Sequence, residues 1–269
     1  MAAMLAEVCC ECKTAGLAAS VLLFYDGHMS FDPIIQLFGQ IAVFLTLGLF
    51  GCVVWRGQAQ LKWLIFTALF YLLYDFALSR GFGALANFPL DANWNWTGKA
   101  IAIGVSLSLA IWLGRDRVGL VWGRSGDPLA LAITGGVGLL AAGLSLLFLN
   151  GGGEVDLETL AFQWTMPGLD EELFYRGVLL VALKEAFRER ARILGAPIGF
   201  GGLLTCIMFG LAHALTYEDG SFAFDIITMA ITGGPAVVLL WLRERTGSIL
   251  LPIVAHNFAN GIPTLIGMI

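Results

Sequence analysis

Apolar residues come along this chain in long blocks, not at the two-residue alternation of a half-buried strand. A bilayer core about 30 Å thick takes roughly 20 helical residues. Eight blocks suit that length, at residues 34–55, 63–78, 100–113, 128–149, 157–183, 198–217, 222–242 and 249–268. Asp75 interrupts the second block. Pro167-Gly168 predicts a kink or restart in the fifth, and Gly233-Gly234-Pro235 should bend or break the seventh. Residues 87–97, with Pro89, Trp94 and Trp96, read as a loop carrying an interfacial aromatic belt. Asn150 and the three glycines after it divide the chain into halves. Residues 1–32 are mildly apolar, with a greasiest run, Thr14 to Tyr25, too short to span; they lack the basic start of a signal peptide and read as an interfacial or disordered lead-in. The expected organisation is therefore a lead-in at 1–32, a four-helix membrane region at 33–150 and a second membrane region at 155–265. No internal repeat and no second soluble domain is evident.

Composition agrees with that pattern. Of 269 residues 58% are hydrophobic and only 13% charged, with a mean hydropathy of +0.82. The fold class is all-α, a polytopic integral membrane bundle of about eight helices. There is no basic tract and no phosphate-cradling glycine loop, so nucleic acid is not an expected partner. Of the five cysteines, Cys9, Cys10 and Cys12 crowd the start while Cys52 and Cys206 lie in apolar blocks. That is no disulfide framework; the crowded group could bind metal or carry a lipid, but incidental thiols are the simpler reading.

Loop charge predicts orientation. Eleven of the fifteen Lys and Arg fall at 56–62, 115–124, 184–192 and 243–245, alternating with loops that hold Arg80, Lys99 or acids alone. By the positive-inside rule those four loops are cytoplasmic and both termini lie outside.

Ionisable residues inside apolar blocks carry the candidate chemistry, because a charge at mid-bilayer costs roughly 2.5–3.5 kcal/mol and has to be paired or used. They concentrate at Asp170-Glu171-Glu172-Leu173-Phe174-Tyr175-Arg176-Gly177. On a helix Glu172 and Arg176 share a face, and Glu171 points about 100° away. A structural ion pair explains Glu172 and Arg176 equally well. Of three histidines His28 is in the lead-in, but His213 and His256 are inside apolar blocks. His213 shares a face with Phe209, and His256 with Asn260. One such histidine alone would be read as a helix-packing hydrogen bonder; two of them, with an asparagine and paired glutamates, point to a site.

Glu171-Glu172-x-x-x-Arg176, Phe209-x-x-x-His213 and His256-x-x-x-Asn260, in that order on separate helices, resemble the signature of the CAAX prenyl endopeptidase and bacteriocin-processing (CPBP) family. The likeness covers about residues 155–265, and nothing before them aligns. The resemblance implies an intramembrane endopeptidase in which glutamate and histidine activate water. Glu171 would be the general base, His213 would help hold the water, and His256 with Asn260 would stabilise the oxyanion, with Glu172, Arg176 and Phe209 orienting the site. It also implies a membrane-associated protein or peptide as substrate and a bacterial inner (plasma) membrane as location. Amide hydrolysis needs such a base, oxyanion donors and an acid for the leaving amine. No metal is favoured, but Glu171, His213 and His256 would make a His2Glu zinc site as the alternative.

A zincin His-Glu-x-x-His and a Gly-x-Gly-Asp are missing, and the Gly-x-Ser-Gly at Gly123 to Gly126 places Ser125 in a basic loop and not inside an apolar block. The other function classes left open are a proton-coupled transporter with carboxylates and histidines along a midplane pathway, and a non-catalytic membrane immunity or binding protein. Related CAAX proteases are expected to take substrate from the cytosol, whereas the loop charges put this site nearer the outer face.

Overall fold

The structure, a computed structural model, describes residues 31–55, 59–80, 92–148 and 156–268. The lead-in with Cys9, Cys10, Cys12 and His28, the aromatic loop at Pro89 and the Asn150 break lie outside the described residues. Three long helices come first: α1 (Asp32–Val54), α2 (Leu61–Asp75) running on as a π-helical turn (Phe76–Arg80), and α3 (Trp96–Leu113). A single turn, α4 (Arg115–Val118), leads to α5 (Pro128–Phe148). Asp75 therefore does not end its span; the helix continues through it with a change of pitch. The third span starts four residues earlier than residue 100, because the Asn95 side chain accepts the Gly98 N–H at 2.7 Å and caps the helix there.

The fifth block is not one rod. It comprises α6 (Leu157–Gln163), α7 (Met166–Glu172), a π-helical stretch (Leu173–Leu179) and α8 (Leu180–Ala186). The restart falls as expected, with Pro167 in the first turn of α7, where its missing N–H leaves no bond unmade.

Two hairpins flank the next helix, the first in the basic loop and the second in place of helix ends that the apolar pattern extended. Strands β1 (Ala191–Ile193) and β2 (Ala196–Ile198) pair antiparallel before α9 (Phe200–Ala214). Strands β3 (Leu215–Glu218) and β4 (Ser221–Phe224) follow, turning at Asp219-Gly220, both with positive φ. An Asp-Gly pair between alternating residues is a hairpin signal that the run of apolar residues hid.

The last helices are α10 (Ile226–Thr246) and α11 (Leu250–Gly267). Gly233-Gly234-Pro235 does not break α10, which is one helix throughout. Its glycine serves packing: a Cβ added to Gly233 would meet the Gly210 Cα of α9 at 3.5 Å, so the two backbones approach closely there.

Among the described residues five helices are long and apolar enough to cross a membrane, namely α1, α2 with its π-turn, α3, α5 and α10. The all-α membrane bundle holds; the count of eight full spans does not follow. α9 has 15 residues, about 22 Å of rise against a 30 Å core, and the fifth block is segmented. Outward-facing Phe38, Phe50, Ile111, Leu139 and Leu147 are exposed, as lipid-facing residues would be. Inside lie Phe44, Leu64, Phe174, Leu179 and Leu240.

The basic loops gather at one end. Arg117 pairs with Glu185 at 2.5 Å, Lys184 with Glu244 at 2.8 Å and Arg245 with Asp127 at 2.8 Å. Arg243 donates to the Arg117 carbonyl at 2.7 Å, and Ala59 bridges to Phe187. The Arg245 hydrogen bonds hold the Asp127 carboxyl below the usual carboxylate range. Trp94, Trp96 and Glu158 form the opposite end, Glu158 accepting from the Trp94 amide at 3.1 Å and from Trp96 Nε1 at 3.0 Å. A shared face for the four basic loops is what the charge alternation requires, so Arg188 is expected inside and Glu218 outside. Single cysteines at these positions, treated in intact cells with a membrane-impermeant thiol reagent, should label at 218 and not at 188. Labelling at 188 alone would invert the orientation.

Candidate active site

Three consecutive acids open the site. Asp170, Glu171 and Glu172 end α7, and the π-helical stretch beginning at Leu173 widens the coil just after them. Extra residues of this kind inside a helix recur at functional sites. Glu172 and Arg176 nevertheless stay within reach across the change of pitch. Glu172 Oε1 accepts from Arg176 Nη1 at 2.9 Å, and both side chains are fully buried. The guanidinium also donates to the Ala236 carbonyl at 3.3 Å and lies 4.6 Å from the centre of the Phe209 ring, a cation–π contact. Arg243 donates from Nε to the Arg176 carbonyl at 3.1 Å and ties α10 to this stretch.

Helix α11 brings His256. Its Nδ1 meets Glu172 Oε1 at 2.8 Å, and its Nε2 faces Glu171 Oε2 at 3.8 Å. A carboxylate only accepts, so Nδ1 carries the proton and Nε2 is the nitrogen presented to Glu171. Helix α9 brings Phe209 and His213. His213 Nδ1 lies 2.8 Å from the Phe209 carbonyl, which again assigns the proton to Nδ1 and leaves Nε2 bare in the neutral ring. The Phe209 ring centre is 4.8 Å from that of His213 and 5.9 Å from that of His256. The Phe209 ring thus meets Arg176, His213 and His256, and its carbonyl also holds His213. His213 itself is exposed.

The end of α9 is held from α1. Gln40 Nε2 lies 3.3 Å from the Leu211 and Leu215 carbonyls, and Gln36 Oε1 accepts the Tyr217 amide at 3.2 Å.

Asn260, one turn beyond His256, is half-buried, and no hydrogen bond joins it to the charged group among the described residues. The asparagine that does reach α7 is Asn257, whose Oδ1 accepts the Gly168 amide at 2.9 Å. A Cβ on Gly168 would come within 2.5 Å of that oxygen, so glycine there sets the α7–α11 distance.

A lysine completes the group. Lys99 Nζ lies 2.7 Å from Glu171 Oε1 and 2.8 Å from Asp170 Oδ2. Tyr74 donates its hydroxyl to the same Asp170 oxygen at 2.7 Å, and its ring stacks on Phe174 at 3.8 Å between centres. Sequence reasoning missed Lys99 and Tyr74. The signal was available for Lys99: Asn95 three residues before Gly98 marks a helix start, which moves Lys99 from a loop into the span.

Three carboxylates against Lys99 and Arg176 leave one negative charge before the histidines are counted. Among the described residues no three His, Cys, Asp or Glu side chains are grouped to hold a metal ion, Glu171, His213 and His256 included. Glu171 already has an ammonium on Oε1, and a zinc ion on its other oxygen would sit against that charge. As arranged here, Glu171, His213 and His256 are not gathered as a His2Glu zinc site would need them.

Residues 155–262 match the family model described as Rce1-like, type II CAAX prenyl endopeptidase Rce1-like. The match supports the CAAX-protease family and, with five membrane-length helices, an integral membrane protein with peptidase activity. It does not favour a transporter or a non-catalytic binder. No curated protein and no solved structure matches the chain.

Proposed function

We propose that this protein hydrolyses a peptide bond of a membrane-associated protein or peptide with a water activated by Glu171, in a plasma membrane. One observation carries the reading: Glu171 has one oxygen on Lys99 while the other faces His256 Nε2 across 3.8 Å. That gap is too long for a hydrogen bond. It suits a water placed to one side, at roughly 2.8 Å from both atoms.

Glu171 takes the proton as the water attacks the scissile carbonyl, and His213 helps hold that water through its bare Nε2. The carbonyl oxygen gathers negative charge. His256 takes a second proton from solvent at Nε2 before the attack, donates a hydrogen bond from it to that oxygen and keeps it through the turnover, with the Glu172 carboxylate behind the ring to balance the imidazolium. Asn260 supplies a second donor from the same face of α11. The proton held by Glu171 then passes to the leaving amine, so one water is consumed and each product takes its share. Glu172, Arg176 and Phe209 hold His256 and His213 in place. The family match supports a peptidase; a prenylated C-terminal cysteine motif is one substrate form within this proposal.

Glu171→Gln, His213→Ala and His256→Ala should each abolish cleavage while inserting normally. Asn260→Ala should slow it about 10²–10³-fold, the usual loss for one oxyanion donor. Proteomics of membranes holding Glu171→Gln should show an uncut species that disappears with the wild-type protein. Wild-type cleavage by any inserted Glu171, His213 or His256 variant would refute the assignment.

Because Lys99 supplies the cation beside Glu171, activity should survive exhaustive chelation. Loss on chelation with recovery at one equivalent of zinc would mean that the three residues regroup around a metal.

A further inference from the structure

The part of the chain before residue 155 lies outside the family match, yet it places a charged side chain inside the acidic cluster. We propose that Lys99 is a positioning residue for the reaction: it holds Glu171 by Oε1 so that Oε2 alone is offered to the water and to His256. This rests on the hydrolytic reading above.

Several features of α3 make little sense otherwise. Lys99 is the fourth residue of its helix, where the positive end of the helix dipole opposes a cation. It is also nearly buried, with 11% of its side chain exposed, in a segment where a lysine head normally reaches back to the interface. Its site is built for it nonetheless. Asn95 caps the helix through the Gly98 amide at 2.7 Å and donates to the Leu78 carbonyl at 2.9 Å, which fixes the start of α3 against the end of α2. A Cβ on Gly98 would collide with the Leu78 carbonyl and the Asn95 amide, so glycine beside Lys99 permits that approach. The ammonium then has two acids within 2.8 Å, and Tyr74 from α2 holds the second of them, Asp170.

The division of labour follows from the geometry. Arg176 serves Glu172, and Lys99 serves Asp170 and Glu171. Without Lys99 two adjacent carboxylates would face each other uncompensated, and Glu171 would be free to turn either oxygen away from His256. A shift of about 1 Å in a reacting group costs about 10²-fold in rate. Arginine can replace the contact in part, because its fork also reaches two carboxylates.

The test uses the full-length protein in liposomes with a panel of internally quenched peptides, with and without a C-terminal prenylated cysteine. Lys99→Met should insert, lower kcat about 10²-fold and leave KM unchanged. Lys99→Arg should regain much of that loss. Lys99→Ala should be partly rescued by added ethylammonium and not by propanol, which has similar size and no charge. The double variant Lys99→Met/Asp170→Asn relieves the uncompensated charge, and should recover thermal stability without recovering rate. Wild-type kcat in Lys99→Met overturns the assignment of Lys99 alone, as does a double variant that recovers rate and stability together. Loss of stability with no rescue by arginine or ethylammonium reduces Lys99 to a structural cation and overturns it too. A wild-type protein that cleaves no peptide in the panel overturns the hydrolytic reading and, with it, this one.

Discussion

Charges buried in an apolar bundle have to be balanced within the bundle, and this structure is arranged around that requirement. Asp170, Glu172 and Arg176 have no exposed surface at all. Removing one partner of such a pair costs about 3–5 kcal/mol, because the charge left behind has neither water nor a counter-ion. The elements that supply partners are therefore committed to one another. α3 brings Lys99, α2 brings Tyr74, α10 offers the Ala236 carbonyl, and α11 brings His256. The balance is incomplete. Asp170 Oδ1, Glu172 Oε2 and Arg176 Nε have no partner among the described residues. An unmet buried polar atom costs about 1–3 kcal/mol, and strain of that kind concentrates where a protein works on something.

The acidic cluster, the two histidines and Phe209 were legible in the sequence because each breaks an apolar block. A residue that violates its surroundings announces itself. Their grouping was only partly legible: fourfold spacing predicts the Glu172–Arg176 pair, and nothing local predicts that His256 closes it from α11. Lys99 escaped because the span seemed to start at residue 100, where Trp94 and Trp96 suggested an interface. Asn257 escaped for the opposite reason. It neighbours His256, and Asn260 fits the fourfold spacing better, but Gly168 of α7 is what approaches and the sequence carries no sign of that.

Helix ends were less legible than helices. The second hairpin is built from residues that hydropathy assigns to the neighbouring spans, and only Asp219-Gly220 marks its turn, while the first lies within the basic loop. Gly233-Gly234-Pro235 misled in the other direction. Glycine in a helix signals a weak point in water, but in a bundle it also lets two backbones meet, as Gly233 and Gly210 do.

The position of the cluster has a consequence for access. Lys99 lies three residues from Trp96, and His213 lies one residue from the end of α9, about 20 Å of rise from Phe200. Both are nearer the tryptophan end than the basic end, so under the proposed function a substrate would reach Glu171 from the face with fewer positive charges. In the proposed mechanism the nucleophile is a water activated by Glu171 and not a side chain, although glutamate and histidine can also attack directly. The most direct test is single-turnover cleavage, in heavy-oxygen water with hydroxylamine present, of the species retained by Glu171→Gln. The account predicts one heavy oxygen in the new C-terminal carboxylate and no hydroxamate. A hydroxamate product would show that the peptide had been transferred to the protein first, and would contradict it.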